Sequence, residues 1–191
     1  MPLTIHSIKA AALQQFALKG YEAASLDKIA QEVGIKKQSL YSHFKSKNDL
    51  FLTVFAEAVA RETAFADDYF ERTSAGDSDG DRLYRFIEQF KSRYREDLNL
   101  RLILYSGSMV PDQPAEQVED AVARYFEHLA RKVRERILGD PSIAPGVPVD
   151  TAVFAYMNML EGMLVELIYA GTTTFDARLQ ASWDVFWRGI R

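Results

Sequence analysis

Apolar residues recur along this chain at spacings of three and four, with polar residues between them, in one segment after another. Ile5, Ile8, Ala12, Leu13 and Phe16 form the first stripe and predict a helix over about 4–19. Gly20 follows as a stop signal. Leu26, Ile29, Ala30 and Val33 predict a short second helix ending at Gly34. Ser25 stands where its hydroxyl caps that helix, and Asp27 lies in the first turn, where the helix dipole favours an acid. "IKKQSLYSHF" is a third helix. Ser46 caps a fourth, over about 46–72, with Asp49 three residues on in a capping-box spacing and Leu50, Phe51, Val54 and Phe55 opening its apolar face.

The polar stretch "TSAGDSDGD" then breaks the pattern. Helices are predicted over 82–95 (Leu83, Phe86, Ile87, Phe90, Tyr94), over 98–106, and, beyond "VPDQPAE", over 117–138. After "GDPSIAPGVP", a helix over 150–170 is apolar on nearly every side, interrupted by Asn158, Glu161 and Glu166. The last, over 176–190, carries Leu179, Trp183, Phe186 and Trp187. The fold class is therefore all-α, with about nine helices, no alternating strand pattern and no repeat. The loop at 73–81 divides an N-terminal lobe from the rest. The expected domains are 1–50, with a connecting helix over about 46–72, and 51–191.

Composition narrows the chemistry. The 191 residues are 48% hydrophobic, enough for a sizeable core. Cysteine is absent, which excludes disulfides and thiolate metal sites. His6, His43 and His128 lie far apart, without metal-ligand spacing. No nucleophile elbow, phosphate loop, dinucleotide fingerprint or HExxH is present. A small helical enzyme is thus disfavoured: no catalytic residue, cofactor or metal is expected. No uninterrupted apolar run approaches the length of a membrane span, and a cytoplasmic protein is expected.

The net charge is −4, but it is unevenly spread. Residues 1–50 carry seven Lys/Arg against four Asp/Glu, whereas the remainder is acidic. Within "GIKKQSLYSHFKSKNDLF" there are four lysines and one acid. This segment spans the third helix, which follows the second after a tight glycine-containing turn, a helix-turn-helix arrangement. With Leu40 and Phe44 turned inward, a step of about 100° per residue sends Gln38 and Ser42 outward and leaves Ser39 and Tyr41 on the shoulders. Lys36 and Lys37 occupy the first turn, the end that enters a major groove. His43, Lys45 and Lys47 extend a positive rim. Amide, hydroxyl and ammonium groups on one face suit base edges and phosphates.

Ala12, Phe16, Gly20 and Tyr21, then Ser25, Ile29, Ala30, Gly34 and Ile35, then Leu40, Tyr41, Phe44, Ser46, Lys47 and Leu50 together resemble the TetR family of bacterial transcriptional regulators. The resemblance covers about the first quarter of the chain. It implies a three-helix DNA-binding domain joined through a fourth helix to a larger ligand-binding and dimerisation domain. It further implies homodimers on palindromic double-stranded operators, repression of transcription, and release by a small-molecule effector. By position, Ser25 would cap the second helix and touch a phosphate. Lys37, Gln38 and Ser39 fall where the family reads bases, and Tyr41, His43 and Lys47 where it grips the backbone. Many members have a small residue in place of Gln38, which leaves base identity open. An activator, or a DNA-binding protein without an effector, would use the same motif.

Beyond Phe51 the resemblance is architectural only. Phe65, Tyr69, Phe86, Phe90, Tyr105, Met109, Tyr125, Phe126, Met157 and Met163 are the candidate lining of an apolar or aromatic effector site. Glu161, set between apolar turns, is a candidate partner for an arginine or a cationic ligand. The all-round apolar helix and its tryptophan-bearing neighbour are expected to pair across a homodimer through Val153, Leu160, Leu164, Ile168, Trp183 and Trp187.

Overall fold

Two glycines in the first 34 residues adopt backbone conformations that other residues rarely take. Gly34 ends the second helix in the left-handed region, at φ 76° and ψ 30°. Its N–H bonds Gln31 O at 3.1 Å while the Ile35 N–H reaches back to Ala30 O at 2.9 Å, a Schellman closure. Gly20, at φ 75° and ψ 169°, kinks the first helix where the sequence predicts a stop, and one more turn runs on to Ala23.

The computed structural model describes residues 5–72, 78–109 and 114–191, apart from the side chains of 107–109. Its helices are α1 (Ile5–Ala23), α2 (Leu26–Val33), α3 (Lys37–Leu40), α4 (Lys47–Glu71), α5 (Asp79–Arg93), α6 (Leu98–Met109), α7 (Ala115–Gly139), α8 (Val149–Tyr169) and α9 (Phe175–Ile190). There is no strand among the described residues, and the all-α expectation holds. α3 is a single turn, shorter than predicted. Ser42 Oγ donates to Ser39 O at 2.7 Å, a local bond that competes with the helix ladder. At the start of α4, Asp49 N donates to Ser46 Oγ (3.1 Å) and the Asp49 carboxylate accepts from Lys45 N (2.8 Å).

The chain forms two compact units, residues 1–62 with 96–124, and residues 63–95 with 125–191. In the first, α1 packs on α2 and α6, and α2 on α3. Ile8, Phe16, Ile29, Leu40, Phe51 and Phe55 are its buried centre, joined by Leu102 and Val118. Phe51 meets Phe16 and Tyr21 edge to face, each at 5.0 Å.

In the second unit α8 packs on α9 and α5. Phe70, Phe86, Phe90, Leu129, Tyr156 and Phe175 are buried there. The Tyr156 hydroxyl donates to Leu83 O at 2.8 Å, and burial pushes its pKa well above the ordinary phenol value. Trp183 and Trp187 stack at 5.1 Å, and a Cβ on Gly80 would come within 2.3 Å of the Trp187 ring. α8 is long and apolar enough to cross a membrane by length and composition, but half of its apolar window is buried inside the unit, as in a core helix.

Two expectations for α8 change. Val153, Leu160 and Leu164 belong to the unit's own core and are not free to form a subunit interface. Trp183 is buried with them, while Ile168 and Trp187 are half-buried. The exposed apolar residues are Phe154 and Tyr169, with Val165 between them on the same face and Val185 on α9. Glu161 lies on the solvent face of α8, so it is not a buried carboxylate. The buried one is Glu166, which accepts from Arg178 at 2.8 Å and from the Thr174 hydroxyl.

Candidate nucleic-acid interface

Leu40 and Phe44 are buried under α3, at 2% and 5% exposure, and they orient everything else on the segment. With them inside, Lys36, Gln38, Ser39, Tyr41, Ser42 and His43 are exposed. Tyr41 has half of its surface in solvent, a large exposure for an aromatic ring. Among the described residues, no side-chain hydrogen bond occupies Lys36, Gln38, Tyr41 or His43. One surface therefore offers an ammonium, a carboxamide, a phenol and an imidazole.

The remaining candidates are already engaged. Ser25 caps α2, its Oγ accepting from Lys28 N at 3.4 Å. Lys47 Nζ donates to Glu22 O at 3.1 Å and sits 4.6 Å above the Tyr21 ring. The Tyr21 hydroxyl in turn bonds Asn48, which ties the start of α4 to the end of α1. Lys37 Nζ meets Asp27 Oδ2 at 2.8 Å. That hydrogen bond, and then the Asp27 charge, raises the Lys37 pKa above its ordinary value. Sequence reading gave Asp27 only a helix-dipole role. Its ten-residue separation from Lys37 hid the pair, because only the fold of α2 against α3 brings the two together.

The effector candidates divide between the units. Phe86, Phe90, Tyr125, Met157 and Met163 are core residues of the second unit, and Phe126 packs beside Tyr125 at 5.6 Å. Tyr105 borders a cavity of about 270 Å³ in the first unit with Arg101 and Tyr21. The Met109 side chain lies outside the described residues. Phe65 and Tyr69 do share a cavity, of about 330 Å³, between α4 and α5. The sequence reading missed its other walls, Asp68, Arg72, Arg82, Arg85 and Gln89. A usable signal was present: Arg82, Arg85 and Gln89 recur at helical spacing on one face of α5. Among the described residues, no cluster of three or more His, Asp or Glu side chains forms a metal site.

A capped helix, a glycine turn and a short second helix with an exposed basic and amide face define the first unit as a helix-turn-helix module. The family model described as bacterial regulatory proteins, tetR family, matches residues 8–54. The chain is 32% identical to the HTH-type transcriptional activator FasR of Mycolicibacterium smegmatis over 112 residues, 58% of this chain and half the length of that protein. It is 25% identical to the HTH-type transcriptional regulator YezE of Bacillus subtilis over 179 residues, 91% of this chain and 89% of that protein. In fold it is similar to the transcriptional regulator FadR of Bacillus subtilis, solved in complex with stearoyl-CoA, with a TM-score of 0.72, 18% identity, and coverage of 98% of this chain and 100% of that one. Residues 8–54 thus match the N-terminal domain of the tetR family of bacterial regulatory proteins, and the relatives that align beyond it are transcriptional regulators.

Proposed function

We propose that this regulator is a homodimeric repressor. Its helix-turn-helix binds a palindromic double-stranded operator, and a small molecule in the second unit releases it. The observation that carries the DNA reading is the exposed row Lys36, Gln38, Tyr41 and His43 outside the buried Leu40 and Phe44. Lysine and tyrosine suit phosphates, and a glutamine amide suits adenine through two hydrogen bonds. The large apolar residues Phe154, Val165 and Tyr169, exposed on one face of α8 beside Asn158 and Glu161, support the dimer reading. The stearoyl-CoA bound by the similar FadR supports a small-molecule effector. A protein of this kind works in the cytoplasm.

The test is selection of genomic fragments by the purified protein at near-physiological salt, followed by sequencing. Recovery of a palindrome, with half-sites about one helical turn apart or a multiple of that, is the expected result. Recovery of random DNA alone would refute the operator reading. Gln38→Ala should cost about 1–3 kcal/mol on the operator and little on random DNA. The name of FasR favours one second reading, activation of transcription. A reporter gene behind the recovered operator decides the sign by rising or falling when the regulator is deleted.

A further inference from the structure

Two facing stripes of side chains enclose the cavity between α4 and α5. α4 supplies Phe65, Asp68 and Tyr69 and, just past its end, Arg72; α5 supplies Arg82, Arg85 and Gln89. Each set follows the three- and four-residue helical repeat, so each helix turns one continuous face toward the space. Three guanidiniums stand against one carboxylate, and that carboxylate, Asp68, is paired with Arg72 at the exposed rim.

Arg82 is the unusual member. It is only 8% exposed, and its guanidinium makes a single hydrogen bond among the described residues, to Phe70 O at 3.5 Å. A guanidinium carries five N–H donors in a planar fork, and one long, neutral acceptor leaves the others to the solvent of the cavity it lines or to a ligand there. Such a group calls for an oxyanion, which the fork meets with two parallel bonds. The opposite wall is aromatic. The Tyr69 hydroxyl donates to Arg82 O at 3.0 Å, which fixes the ring beside the arginine, and Arg93 holds the Phe65 ring from one side at 3.8 Å.

We propose that this cavity binds an organic anion. Its carboxylate or phosphate lies on Arg82 with Arg72 and Arg85 at the rim, and its apolar body lies against Tyr69 and Phe65. The inference deepens the effector reading above and rests on it only for the consequence at the operator. It replaces an apolar or cationic effector with an amphipathic anion, because the guanidiniums select against a positive head group.

The full chain should be titrated with anilinonaphthalene sulfonate and, separately, with N-phenylnaphthylamine, which keeps the aromatic rings and lacks the anion. The sulfonate is expected to bind saturably at one site per chain. Arg82→Gln should weaken it by about tenfold or more while changing the neutral probe by less than about twofold. Arg72→Gln, at an exposed position where folding is not at stake, should weaken the sulfonate in the same direction. Decanoate and decyl phosphate should displace the sulfonate where decanol does not, and the more potent of the two identifies the head group. If Arg82→Gln lacks the native circular dichroism spectrum, Arg72→Gln and the decanol comparison decide alone. Equal losses of both probes, no loss in the variants that fold, or displacement by decanol as readily as by decanoate would overturn the site. Operator binding is measured in parallel. Arginine-dependent binding without loss of DNA upholds the site and removes only its role as effector site. Loss of DNA without arginine dependence removes the site and keeps the regulator reading.

Discussion

Asp27 and Lys37 approach within 2.8 Å, and their pairing has a consequence for recognition. A lysine that contacts a phosphate must first leave its carboxylate. Asp27 therefore competes with DNA for the same ammonium. Asp27→Asn should strengthen binding to all DNA sequences and steepen the salt dependence by about one unit, as one more phosphate is neutralised. A salt titration of the variant against the parent checks this; weaker binding or an unchanged slope would mean that Lys37 stays away from the backbone. The same substitution removes the bond that raises the Lys37 pKa, so that value should return toward the ordinary lysine range, readable by NMR. Outward-facing groups such as Gln38 and Ser42 were legible from helical angle alone, because Leu40 and Phe44 anchor the inward direction. Glu161 and Glu166 were not distinguished, since a helix apolar on nearly every side gives no polar face from which to set the angle.

Among the elements, α5 and α9 meet at a contact that tolerates no added atom. A Cβ on Gly80 would lie 2.3 Å from one Trp187 ring carbon and 2.6 Å from the next. Gly80→Ala should cost about 1–3 kcal/mol by overpacking, although alanine is otherwise the better helix former. A stabilised variant in thermal denaturation would mean that the Trp187 ring moves aside freely. α4 and α7 are tied by Asp67, which His128 contacts at 2.9 Å and Lys132 at 2.7 Å. The Lys132 hydrogen bond, then that of His128, holds the Asp67 carboxyl below its ordinary value, and the same bond holds Lys132 above its own. The Asp67 contribution is complete above the ordinary carboxylate range and is lost as pH falls through the lowered pKa. The Lys132 contribution is complete below the ordinary lysine value and is lost as pH rises through the raised one. Asp67→Asn should therefore lower Tm across the neutral range, by no more than about 1 kcal/mol of stability for a solvent-screened pair, and flatten the acid limb of the Tm–pH curve. An unchanged acid limb would count against the tie. Helix positions were readable because caps and glycines punctuate them. The brevity of α3 was not, because a Ser42–Ser39 bond leaves no trace in periodicity.

At the scale of the molecule, Phe154, Val165 and Tyr169, interspersed with Asn158 and Glu161, form a stripe on α8 that its own unit does not cover. If this stripe joins two copies, Phe154→Asp should weaken dimerisation by about tenfold or more without altering the fold, as sedimentation and circular dichroism would report. A dimer of unchanged strength would send the search for the interface elsewhere. The sequence reading puts the interface on α8 and α9, and on α8 it chooses inward positions. Val153, Leu160 and Leu164 are the more hydrophobic choices, and the monomer's own core claims them first. The arginine-lined cavity was only half legible, from the spacing of Arg82, Arg85 and Gln89 on α5. Each of its two stripes reads as an ordinary charged helix face until α4 and α5 are brought together.

The stacked pair Trp183–Trp187 gives the protein an uneven optical signature. These are the chain's two tryptophans, and both lie in the second unit. Tryptophan emission therefore reports on that unit directly, whereas far-ultraviolet circular dichroism registers the helices of both. If the two signals melt at one temperature, the units unfold as a single cooperative block. If ellipticity falls first while emission holds, the helix-turn-helix unit unfolds independently, and its stability is measurable without any label.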